Sequence, residues 1–74
     1  MKLTAVIERE NDGYVALYPQ LDIASQGDNI EAACDNLREA VELFFECASA
    51  EEIDRRMNGK IYVTQIEVAI GKAA

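Results

Sequence analysis

The sequence predicts a small α+β domain in which a single, mostly antiparallel sheet carries its main helix on one face. Segments with strand-like alternation of apolar and polar residues occur near both ends of the chain. A long middle segment instead repeats its apolar residues at spacings of three and four, which is typical of an amphipathic helix. The predicted order is β-β-β-α-(short α)-β, and residues 1–74 form one domain.

The first three strands are predicted from alternation and from turn residues. Residues 3–8 alternate as a first strand, and the Asp-Gly pair that ends at Gly13 indicates a hairpin. Residues 14–18 then return antiparallel. Pro19 cannot donate a ladder hydrogen bond, so we expect a strand end or an exposed edge there. Residues 23–26 form a short third strand.

The main helix is predicted to follow a sharp turn at Gly27. Asp28 is a favourable N-cap, and Glu31 lies three positions later, as in a capping box. We therefore expect the helix to begin near residue 28 or 29 and to end near Cys47. The apolar stripe that would pack on the sheet comprises Ile30, Ala33, Cys34, Leu37, Ala40, Val41, Phe44 and Ala48.

The last part of the chain is predicted to contain a short helix and a long strand. Ser49 and Glu52 repeat the capping-box pattern, and Gly59 closes the short helix. Residues 61–70 are rich in β-branched side chains and alternate, so we expect them to form the final strand of the sheet.

The charge and size of the chain restrict its partners. A net charge of −7 disfavours direct binding of nucleic acid and favours a basic protein partner. A 74-residue chain buries a small core, so we expect a homo-oligomer, a dimer or a tetramer. No signal peptide and no apolar run near 18 residues is present, which predicts a cytoplasmic protein without a membrane partner.

The chemistry of the chain gives no basis for an enzyme. It contains no histidine, which removes the commonest general base and metal ligand. Ser25 and Ser49 have structural explanations, so we predict no catalytic, cofactor or metal residues. One alternative stays open: carboxylates such as Asp12 and Asp22 would have to converge to form the site of a metal-dependent nuclease.

Two groups of residues are candidates for partner binding. The outer face of the main helix carries an acidic stripe that comprises Glu31, Asp35, Glu39, Glu42 and Glu46. It is either a solvated face or a docking strip for a basic partner. Tyr14 and Tyr18 are amphipathic interface candidates, and Tyr18 with Pro19 is favoured because a proline-terminated edge strand would be exposed.

The segment from Gly13 to Phe45 resembles the N-terminal domain of HicB-type antitoxins. The most specific matches are residues 14–16, Pro19 with Leu21, and the Ser-Gln-Gly-Asp turn at 25–28. The resemblance implies a partial ribonuclease H-like fold without catalytic carboxylates, self-association, and masking of HicA, a small basic mRNA-cleaving toxin.

Two departures from the family pattern shape what we expect of this chain. In many members a Pro-Gly-Cys stretch precedes the Ser-Gln-Gly-Asp turn. In this chain Leu21 is followed by Asp22, Ile23 and Ala24, and the loop is one residue shorter. The sequence ends at Ala74 where typical members continue into a DNA-binding domain, so we expect a short, stand-alone member. The alternative function is an orphan homo-oligomeric structural module.

Overall fold

A three-stranded antiparallel sheet and two following helices make up the fold. The computed structural model describes residues 1–71. The strands are β1 (Val6–Glu10), β2 (Gly13–Tyr18) and β3 (Ile23–Gly27), and the helices are α1 (Ile30–Cys47) and α2 (Ala50–Met57). The sheet order is β1-β2-β3, so β2 is the central strand. The predicted α+β class, with the main helix on one face of an antiparallel sheet, is confirmed.

Two tight connections set the register of the sheet. Glu10 pairs with Gly13 across the β1–β2 turn, in which Asn11 adopts a left-handed φ of 54°. Asp22 has the same φ in the β2–β3 loop, where the Leu21 amide donates to the Tyr18 carbonyl over 3.3 Å. Asn and Asp tolerate this conformation better than most residues, which explains their positions. The predicted hairpin is confirmed.

The predicted N-cap of the main helix is wrong by one residue. Asn29, rather than Asp28, is the N-cap: its backbone is extended, and its Oδ1 accepts a hydrogen bond from the Ala32 amide at 2.7 Å. Gly27 has no positive φ, so its role is different from the predicted one. A Cβ on Gly27 would lie 2.5 Å from the Ala33 nitrogen, so glycine lets the first turn of α1 approach β3.

This geometry predicts an asymmetric response to two neighbouring substitutions. Asn29→Ala removes the acceptor of the Ala32 amide and should lower the free energy of unfolding by about 1 kcal/mol. Asp28→Ala removes no cap and should change it by less than about 0.5 kcal/mol. Urea unfolding followed by circular dichroism measures both values, and a larger loss for Asp28→Ala would contradict the observed cap.

The core lies between α1 and the β2–β3 half of the sheet. The helix packs over β3 and β2 rather than over β1. Among the described residues, six are buried, and a further set that includes Ala5, Ile7, Phe44 and Phe45 is partly buried around them. The buried residues are Ala16, Tyr18, Leu21, Ala33, Leu37 and Val41. Because two of the six are alanines, the helix and the sheet lie close together and the core is small.

Polar contacts attach α2 to the β2–β3 loop. Ser49 is the N-cap, as predicted, and its Oγ accepts from the Glu52 amide at 3.1 Å. The Gln20 amide group donates to the carbonyls of Met57 and Gly59, at 2.9 Å for Gly59. The helix has no buried residue of its own, so these bonds fix where the chain leaves α2.

The predicted final strand is wrong. Residues 61–70 lie in no strand or helix, and every one of them is exposed. A strand needs a hydrogen-bonding neighbour, and no other described residue lies beside this segment in a sheet. The likeness to a partial ribonuclease H-like fold stays a prediction.

Candidate protein-binding site

One exposed surface of α1 carries a dense group of carboxylates. We call it the acidic face, and it comprises Glu31, Asp35, Glu39, Glu42 and Glu46. All five are exposed, on the side of the helix opposite the buried Ala33, Leu37 and Val41. Positions three and four apart lie on one side of a helix, so the packing of the apolar stripe on the sheet fixes the direction of the acidic face.

The acidic face is poorly neutralised within the described part of the chain. Arg38 forms a 2.9 Å salt bridge with Asp35, and this is the one ion pair among residues 1–71 that involves the face. Both side chains are more than half exposed, and such surface pairs contribute little to stability. The remaining like charges repel one another mildly along the helix. The face is therefore a concentrated negative surface that a cationic partner would relieve.

An exposed leucine borders the acidic face and was not predicted as a site residue. Leu43 is 58% exposed, and it lies outside the apolar stripe that packs on the sheet. A shallow groove of about 460 Å³ has a lining made of Glu39, Ala40, Glu42, Leu43 and Glu46. The signal in the sequence is an apolar residue placed among acidic positions of the helix. An apolar contact beside a polar rim is a common arrangement in protein interfaces.

The aromatic candidates do not join the acidic face. Tyr18 is only 6% exposed and lies on the central strand, so the expected exposed edge is wrong. The expected strand end at Pro19 is confirmed, because β2 ends at Tyr18. Its hydroxyl donates to Gln20 Oε1 at 3.2 Å and lies 4.0 Å from the sulfur of Met57. Tyr18 therefore supports the attachment of α2. Tyr14 is half-buried at the other end of β2.

Tyr14 lines a second surface depression, near the start of α1. This cleft of about 560 Å³ is bounded by the β1–β2 turn, Gly27 and Asn36. Asp12 borders it, whereas Asp22 lies in the β2–β3 loop at the far end of β2. Within residues 1–71, no three Asp, Glu or Cys side chains are grouped so that they could hold a metal ion.

Comparison with known proteins identifies the family. A UPF0150 protein of Helicobacter pylori (strain J99) is 36% identical to this chain over 70 residues, which cover 93% of this chain and 97% of that protein. The chain belongs to the UPF0150 family. A UPF0150 protein of Synechocystis sp. (strain PCC 6803) is 46% identical over 50 residues, which are 65% of this chain and 63% of that relative.

Other comparisons add no further assignment to this UPF0150 chain. No family model and no solved structure matches it. Among the described residues, no helix combines the length and the apolar character required to cross a membrane. The family membership and the geometry of α1 are therefore the observations on which a function can be proposed.

Proposed function

We propose that this UPF0150 chain is a non-catalytic, antitoxin-like binding module that masks a small basic mRNA-cleaving toxin of the HicA type in the cytoplasm. The observation that carries the proposal is the acidic face of α1 with the exposed Leu43 at its margin. The resemblance of residues 13–45 to HicB-type antitoxins supports it, as does the UPF0150 membership.

The physical basis is charge complementarity around an apolar contact. A toxin that binds RNA must present a cationic surface to the phosphates, and an acidic partner can occupy that surface. Carboxylates at the rim of an interface mainly raise the association rate, whereas an apolar contact mainly slows dissociation. Glu39, Glu42 and Glu46 would supply the first effect, and Leu43 would supply the second.

The cellular test is rescue from a toxin. Co-expression of this chain with a HicA-type toxin, or with a small basic protein encoded beside it, should restore growth that the toxin alone arrests. The two purified proteins should form a complex on mixing. Failure of both experiments would overturn the proposal and would leave the orphan structural module as the function to test.

The acidic face predicts a specific change in binding kinetics. The triple variant Glu39→Gln, Glu42→Gln and Glu46→Gln should slow association with the toxin about tenfold at low salt. It should not lower the melting temperature, because it removes like charges that repel along α1. Stopped-flow or surface plasmon resonance measurements at two salt concentrations give the rates.

A matched variant distinguishes the acidic face from net charge. Glu8→Gln, Glu10→Gln and Asp12→Asn remove the same number of negative charges from the β1–β2 hairpin. Association should slow by less than about threefold, because these groups would lie outside the interface with the toxin, where salt screens their charge. Equal slowing by both variants would show that overall charge alone drives association and would contradict the assignment of the face.

A further inference from the structure

The outer edge of β1 is one of the two edges of the sheet, and it is the less covered one. Within residues 1–71, β1 has a neighbour on one side only, and α1 packs over β3 and β2 instead of β1. Ala5 and Ile7 are consequently only partly buried, and Val6 is half-exposed. The other edge of the sheet is different, because the Asn36 side chain of α1 donates to the Gln26 carbonyl of β3 at 2.8 Å. An added strand would find more unoccupied backbone at β1.

Residues 61–70, here called the C-terminal segment, have the composition of a strand without a partner. The segment alternates, and it contains a single charged residue, Glu67. Val63, Ile66 and Ile70 are 93%, 80% and 91% exposed. Exposed apolar residues that are concentrated in one extended segment indicate a surface that another structure covers.

The dimensions of the chain indicate how much surface a partner would have to bury. The radius of gyration is 15.8 Å, against about 11 Å for a compact chain of this length. The accessible surface is 6354 Å², which exceeds by about 1,800 Å² the roughly 4,500 Å² typical of a folded monomer of 8.2 kDa. Burial of this excess on two copies would total about 3,600 Å², which is within the range of obligate homodimers.

We propose that the C-terminal segment of each chain adds as a strand to the outer edge of β1 in a second copy, which gives a reciprocal strand-exchanged dimer. Each chain offers one donor segment and the β1 edge as its acceptor, so a twofold arrangement uses both reciprocally. The segment would extend the sheet from three to four strands on each side and would cover Ala5 and Ile7.

A second copy is the favoured occupant because the single chain leaves the C-terminal segment unpaired. Gln20 donates to the carbonyl of Gly59 and so fixes where the segment starts, yet residues 61–70 pair with no strand of their own sheet and all of them are exposed. Two copies with a net charge of −7 repel one another, so their contact is expected where charge is sparse, and the C-terminal segment has one charge.

The first test is the mass of the full chain in solution. Light scattering after size exclusion should give a dimer that persists at micromolar concentration. Ile66→Pro should raise the dimer dissociation constant by about 100-fold or more, because proline removes a ladder donor from each exchanged strand. Gly71→Pro, just beyond the segment, should leave the dimer intact. A monomeric parent chain, or equal effects of the two prolines, would overturn the proposal.

The second test locates the contact and does not depend on the variants' stability. Both native cysteines are first replaced, by Cys34→Ser and Cys47→Ser. One copy of this background then carries Val6→Cys in β1. The other copy carries Gln65→Cys or Ile66→Cys, which lie on opposite faces of the segment. Oxidation of the mixture should join unlike copies at least tenfold more than like copies. Disulfides formed mainly between two segment cysteines would overturn exchange at β1. A disulfide formed within a single chain that carries both the Val6→Cys and the segment cysteine would also overturn it.

Neither the light-scattering test nor the disulfide test depends on a toxin, so this inference and the proposed function can fail separately.

Discussion

Leu21→Ala is expected to lower the free energy of unfolding by about 3 kcal/mol, within the range measured when a buried leucine becomes alanine. Leu21 is 2% exposed and is the largest fully buried side chain among the described residues. It closes the core from the β2–β3 loop, where its amide donates to the Tyr18 carbonyl and its carbonyl accepts from Arg56 at 3.2 Å. The truncation leaves those backbone bonds in place and removes only apolar packing.

The consequence is large because the core is small. A domain of this size has a few kcal/mol of net stability, and each lost kcal/mol lowers the melting temperature by about 4–8 °C. Leu21→Ala should therefore shift the thermal transition by more than 10 °C or abolish it. Leu43→Ala is the matched control, because the same atoms are removed from a side chain that is 58% exposed, and the shift should be under about 4 °C. Similar shifts for the two variants would contradict the assignment of Leu21 to the core.

Gly27→Ala is expected to destabilise the fold by about 3 kcal/mol, at the upper end for an overpacked position. The added Cβ would lie 2.5 Å from the Ala33 nitrogen, 2.7 Å from the Ala32 carbonyl carbon and 2.8 Å from the Ala32 Cβ. Most of these atoms belong to the backbone of the first turn of α1, which cannot rotate away as a side chain can. Either α1 moves off β3 or the strand bends, and both changes disturb the core.

Differential scanning calorimetry at one fixed protein concentration tests this prediction. Gly71→Ala is the control, because nothing lies within 4 Å of the added Cβ and its transition should match that of the parent chain. A melting temperature for Gly27→Ala within about 3 °C of the parent would contradict the close approach of α1 to β3.

The local signals in the sequence predict most of the fold. The alternation in β1, the turn at Asn11 and Asp12, and the spacing of Leu37 and Val41 each depend on neighbours within a few residues. The N-cap prediction is wrong by one residue because Asp28 and Asn29 are both good caps, and capping preference does not choose between them. The close approach of α1 to β3 at Gly27 is a tertiary contact, which the sequence pattern does not contain.

The remaining errors concern partners that are distant in the chain. The predicted exposed edge at Tyr18 and Pro19 is wrong because sheet order does not follow from the alternation of individual strands. The predicted strand at residues 61–70 rests on composition, which specifies the tendency to pair but not the location of the partner. The grouping of the five carboxylates on one face follows from the helical period alone and is predictable from the sequence. The exposure of Leu43 depends on which side of α1 packs on the sheet, so it is visible only in the structure.

The attachment of α2 also makes the stability of the molecule uneven. Segments held by few buried apolar contacts open locally at free energies well below that of global unfolding. α2 has no buried residue and depends on Gln20, Met57 and Arg56 for its contacts with the β2–β3 loop, whereas α1 contributes half of the buried core. Amide hydrogens of α2 should therefore exchange with solvent while α1 and the sheet stay protected. Each opening of α2 would detach the chain just before residues 61–70 from the β2–β3 loop without unfolding the domain.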